Sequence, residues 1–176
     1  YLIVTHPLFA GQAARIAELK ALEGRNAVVV DAERIYDRFS AGVFEARAIQ
    51  ALARPFERRG ALRYVLLVGD DTDDPADNYR LGERVLIPSA MGHDAYAGRV
   101  ASENLYADRD GDGAPDLSIG RLPVRTVAEA EAMLAAADRA ATCVLTGCRS
   151  APPGCDTIAA PRAPRRGSLH AQSRCR

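Results

Sequence analysis

Residues 63–70 read RYVLLVGD. Tyr64–Val68 is a short, unbroken apolar run that Gly69 ends, the pattern of a strand buried on both faces. Two further runs upstream read the same way: Leu2–Thr5 in YLIVT, and Asn26–Asp31 in NAVVVD. Between those two, Gly11–Glu23 carries Ile16, Leu19 and Leu22 at helical spacing, and Gly24 stops it. Ile35–Phe39 reads as a short turn-like segment. Phe44, Ala48, Leu52 and Phe56 recur every four residues, so Val43–Arg59 reads as an amphipathic helix. Pro55 falls inside it, where an interior proline costs about 3 kcal/mol, and a kink or an early end is expected there. Downstream of the central run, Asp70–Tyr79 is an Asp-rich loop, and Val85–Ile87 and Leu117–Ile119 read as short strands. Thr126 and Glu129 have capping-box spacing, so a last helix starts there and runs through Ala130, Met133, Leu134 and Ala137. Strands alternating with helices place the chain in the α/β class. The expected architecture is a three-layer, open, mainly parallel, Rossmann-like sheet with flanking helices and right-handed crossovers.

The chain has 176 residues, with 48% apolar and 26% charged. That suits one globular unit with a sizeable core, or one unit plus a tail. The formal net charge is zero, and nothing in it points to nucleic acid. No apolar run approaches the roughly 20 residues that span a membrane, and no signal-peptide pattern opens the chain. The zero hides an asymmetry: residues 1–142 hold 17 Lys and Arg against 22 Asp and Glu, whereas residues 143–176 hold six Arg and one acid, Asp156.

All four cysteines, Cys143, Cys148, Cys155 and Cys175, lie in that last segment, which lacks helical or strand period. Their spacings of five, seven and twenty match no CxxC zinc pattern. The segment reads as a disulfide-stapled mini-domain, a basic tail, or a frameshifted end. Too few apolar residues surround the cysteines for the first. The abrupt change to an Arg/Pro/Cys composition favours the last. The expected organisation is thus an α/β unit over 1–142 and a disordered or frameshifted tail over 143–176.

Three places hold residues with chemistry. Asp70, Asp71, Asp73 and Asp74 follow a strand, and in open α/β sheets ligands bind outside the carboxyl ends of strands. They form either a phospho-acceptor or metal cluster, or a solvated Asx-rich turn leading to Pro75. Asp108–Asp116 reads DRDGDGAPD, with Asp108, Asp110 and Asp112 at positions 1, 3 and 5 of an EF-hand-like loop, Gly113 at position 6 and Asp116 at position 9. Alternate carboxylates converge on a hard cation when such a loop curls, which makes Ca2+ the candidate cofactor. Position 12 is Ile119 instead of the bidentate Glu, and Leu105–Ala107 and Leu117–Ile119 look extended, so an Asp/Gly hairpin turn between strands is the competing reading. The third place is the histidines: His6 after the first strand, His93 in the loop segment GHDAY, and His170 in the tail. None has a Cys neighbour within residues 1–142. No G-x-G-x-x-G and no G-x-S-x-G is present.

Four segments, in order, carry a resemblance: YLIVTHPLF at 1–9, RIYDRFSAGVFEARAIQ at 34–50, RYVLLVGD at 63–70 and ENLYADRDGDGAPDLSIGRLPVRTVAEAE at 103–131. Within them IYDRFSAGVF and GDGAPDLSIGRLPVRT are the specific ones. Residues 1–142 resemble the first subdomain of gingipain-type cysteine peptidases. The resemblance implies a catalytic domain of two side-by-side α/β subdomains. The second, caspase-like one bears a His after a glycine and a nucleophilic Cys, each at a strand end. It also implies a secreted or cell-surface setting, and protein or peptide substrates for the parent enzyme. The dyad belongs beyond the GRLPVRT helix, where this sequence turns into the Arg/Pro/Cys segment. None of the four cysteines follows an apolar strand, so no catalytic residue carries over. The expectation is a non-catalytic subdomain whose partner is the missing C-terminal caspase-like subdomain. The alternatives are a non-enzymatic calcium-binding or scaffolding module, and a receiver-like or nucleotide-binding domain using Asp70–Asp74.

Overall fold

The computed structural model describes residues 1–58, 62–72, 74, 77–108 and 110–146, with the backbone alone described for 54–58 and 140–146. Strand β1 is Leu2–Thr5. A 3-10 turn, Pro7–Phe9, leads into helix α1, Ala10–Leu22. Strand β2, Val28–Asp31, runs directly into helix α2, Ala32–Phe39. Helix α3, Ala46–Arg58, precedes strand β3, Tyr64–Val68. A long connection follows, containing a hairpin of β4, Met91–Asp94, and β5, Gly98–Ala101, and a single helical turn, α4, Asn104–Ala107. Strand β6, Ser118–Leu122, and helix α5, Val127–Thr146, complete the unit.

Strands β2, β1, β3 and β6 form one four-stranded sheet in that order, all parallel. Successive side chains on a strand point to opposite faces. Leu2, Val4, Val65 and Leu67 therefore join one core with Ile35 and Tyr36 of α2 and Ala48, Ile49 and Ala53 of α3. Ile3 and Val68 join the other with Ala13 and Ile16 of α1 and Ala130 and Leu134 of α5. Helices thus cover both faces, and the expected three-layer α/β arrangement is the one formed. Burying a side chain such as Ile3, Val4 or Leu67, each 0% exposed, contributes about 1.5–3 kcal/mol. Chain order reverses between β1 and β3, which makes the carboxyl ends of those two strands the switch point of the sheet.

Several expectations are corrected. Ile35–Phe39 is not a turn but the body of α2. Asp31 ends β2 and at once caps the helix, its side chain accepting from the Glu33 N–H at 2.9 Å. That double role hides the helix start from a period-based reading. NAVVVD is the sheet's edge, with Val28 42% and Val29 36% exposed, because pairing leaves its outer side open. Val85–Ile87 forms no strand; the Leu86 and Ile87 N–H groups both donate to the Asp70 carbonyl instead. GHDAY is not a loop: His93 lies on β4 opposite Arg99, and Asp94 closes the hairpin by accepting from the Tyr96 and Ala97 N–H groups. Leu105–Ala107 is not extended but belongs to α4, where Tyr106 and the adjacent Ala107 are both buried, a placement that a strand's alternation does not favour. Helix α3 does not end at Pro55 and runs three residues beyond it. Helix α5 runs through Cys143 to Thr146. Residues 147–176, with Cys148, Cys155, Cys175 and His170, lie outside the described residues, as does Asp73.

Candidate functional site

The carboxyl edge of the sheet is built from the ends of β1, β3 and β6. His6 follows β1. Its backbone N–H donates to the Val68 carbonyl, and its Nδ1 accepts from the Leu8 N–H at 3.2 Å. The imidazole thus caps the turn at Pro7–Phe9. Burial lowers its pKa below 6.5, outweighing Glu33 and Asp31, which act to raise it. A neutral ring is what this cap needs, since a protonated Nδ1 cannot accept.

At the end of β3, Gly69 has a φ of +139°, and a Cβ there would meet Ile87 at 3.0 Å and Leu86 at 3.1 Å. Only glycine lets the following connection fold back this tightly. Asp70 and Asp71 come next, and Arg125, three residues past β6, organises them. Arg125 Nε pairs with Asp70 Oδ2 at 2.7 Å, its Nη1 with Glu83 Oε1 at 2.9 Å, and its Nη2 donates to the Asp71 carbonyl at 3.0 Å. Hydrogen bonds to Asp70 and Glu83 hold its pKa above the ordinary value. Asp71 accepts from the Thr72 and Ser89 N–H groups, and Asp74 from Asn78 and the Tyr79 N–H. Asp71 and Asp74 are therefore bound up within the connection, with Asx-type bonds of the kind expected for a turn, and Asp70 is tied to Arg125.

Arg121 is more enclosed, its side chain 10% exposed. Its Nε pairs with Glu103 Oε1 at 2.7 Å, its Nη1 donates to the Gly69 and Ile87 carbonyls, each at 2.8 Å, and its Nη2 to the Pro88 carbonyl at 3.1 Å. It fastens the long β3–β6 connection to the sheet. Sequence reasoning gave neither arginine a role. No local signal marks either: Arg121 lies beyond the Leu117–Ile119 run read as a strand, and its acceptors come from the distant β3–β6 connection. Beneath this edge lie two buried polar atoms without a partner among the described residues, the Tyr36 hydroxyl and Glu103 Oε2. Burial raises the pKa of both Tyr36 and Tyr106, whose hydroxyl donates to the Pro88 carbonyl.

A cleft of about 900 Å³ opens above. Asp70, Glu83 and Arg125 form its charged side, and Phe44, Leu81 and Met91 its apolar side. The volume falls within the range of small-ligand sites. No cysteine side chain is described near it. His93 is exposed on β4, and no described residue pairs a nucleophile with a base there.

The Asp108–Asp116 loop lies at the other end of the sheet. It joins α4 to the start of β6, so it is not a hairpin between two strands. Gly111 and Gly113 adopt φ of +82° and +87°, which lets the loop curl. Asp108 accepts from the Gly111 and Gly113 N–H groups. Carboxylate oxygens of Asp108, Asp110 and Asp116 come within 4.8 Å of one another. Asp112 is not among them; its Oδ1 caps the Ala114 N–H at 2.8 Å. Three carboxylates fit part of the shell of six to eight oxygens that Ca2+ takes.

An open, parallel sheet with helices on both faces and arginines anchoring its long crossover defines a three-layer α/β unit. The family model "Peptidase family C25" matches residues 1–142, and the chain belongs to that family. Among solved structures it is similar to latent, dimeric PorU from Porphyromonas gingivalis, with TM-score 0.63 and 21% identity. That match covers 78% of this chain and 15% of the other. It is also similar to the complex of RgpB pro- and mature domains from the same organism, with TM-score 0.53 and 23% identity. There the match covers 74% of this chain and 26% of the other, so the chain spans a small part of both neighbours. No curated protein matches the chain. Among the described residues no helix is long and apolar enough to cross a membrane.

Proposed function

We propose that this chain supplies the first, non-catalytic subdomain of a gingipain-like cysteine endopeptidase and supports a caspase-like second subdomain that carries the His/Cys dyad. The observation that supports this most is the use of the sheet's carboxyl edge. His6 is taken up as a cap, and Arg121, Arg125, Asp70 and Asp71 hold the crossover in place. In the complete enzyme a thiolate attacks the scissile carbonyl, a His handles the proton, and backbone N–H groups stabilise the oxyanion. This chain's part is to present a rigid flank to that machinery. The family setting supports a secreted or cell-surface location and protein or peptide substrates for the complete enzyme. The test is hydrolysis of a panel of peptide esters and amides, including those of Arg and Lys, with reductant and calcium present. No turnover is expected from this chain. Turnover that vanishes when one particular Cys is changed to Ala would overturn the proposal.

A second reading, a calcium-binding scaffold, is favoured by the convergence of Asp108, Asp110 and Asp116. The two readings are compatible, because the loop lies at the end of the sheet remote from the cleft.

A further inference from the structure

We draw no further inference here: the strongest candidate, the apolar side of the cleft formed by Phe44, Leu81 and Met91 at the carboxyl edge of the sheet, belongs to the site already described, and nothing in the structure shows what covers it.

Discussion

Arg121 and Arg125 leave the same strand four residues apart, yet their contributions differ. Arg121 is nearly enclosed and satisfies three backbone carbonyls along with Glu103. Changing it to Met takes its donors from Glu103 and from the Gly69 and Ile87 carbonyls, while the Pro88 carbonyl keeps the Tyr106 hydroxyl. Arg121→Met should therefore cost about 3 kcal/mol in urea unfolding, because removing one partner of a buried pair strands the other. The ion pairs of Arg125 are about one-third exposed. Exposed pairs contribute about 1 kcal/mol or less and are screened by salt. Arg125→Ala should therefore be mild, and the difference from the parent should shrink at high ionic strength. A salt-independent loss would mean the side chain acts by packing. Tyr36 gives a prediction of opposite sign. Its hydroxyl is buried with no partner among the described residues, a cost that disappears with the oxygen. Tyr36→Phe should stabilise the fold by on the order of 1 kcal/mol. A destabilised variant would mean that the hydroxyl has found a partner.

At the scale of elements, α5 depends on its first turn. Glu129 N–H donates to Thr126 Oγ1 at 3.2 Å, and Glu129 Oε2 accepts in return from the Thr126 N–H at 3.4 Å, the reciprocal pair expected from the sequence; the same oxygen also accepts from the Arg125 N–H at 2.8 Å. Thr126→Ala should cost about 1 kcal/mol, measured as a shift in the denaturation midpoint. These backbone bonds lower the pKa of Glu129 below 4.5. A lowered carboxylate contributes stability above its unfolded pKa and loses it as pH falls through the folded one. Glu129→Gln should accordingly flatten the acid limb of the stability profile below about pH 4.5. His6 acts on the element before α1 in a higher window. Its folded pKa lies below 6.5, so the unfolded chain protonates first and stability falls as pH drops from 6.5. His6→Asn keeps an acceptor for the Leu8 N–H and removes the titration. Thermal melts between pH 7 and 5 should show the slope for the parent and a flatter line for the variant.

For the whole molecule, the two acidic regions lie at opposite ends of one sheet and should behave independently. Calorimetry should find weak calcium binding that Asp110→Ala removes, since affinity follows ligand charge and, among the described residues, three carboxylates converge. Tight, stoichiometric binding would mean that further oxygens complete the shell. The sequence by itself determined the three-layer α/β class, the runs that became β1 and β3, the helices α1 and α3, the capping box of α5 and the family. Each follows from local apolar period or from contiguous residues, which a linear reading detects. Helix α2, the β4–β5 hairpin and α4 were not legible in this way. Asp31, Asp94 and the short 104–107 turn have small local signals, and tertiary packing of Tyr36 and Tyr106 supplies the rest. The exposure of β2 was also decided in space, because an edge strand and a central strand share the same apolar composition. So were the roles of the Asp run and the two arginines. Asp70 meets Arg125 across 55 positions, and Arg121 meets Gly69 across 52. Contacts at that separation exist only once parallel pairing of β3 with β6 brings the two strand ends together.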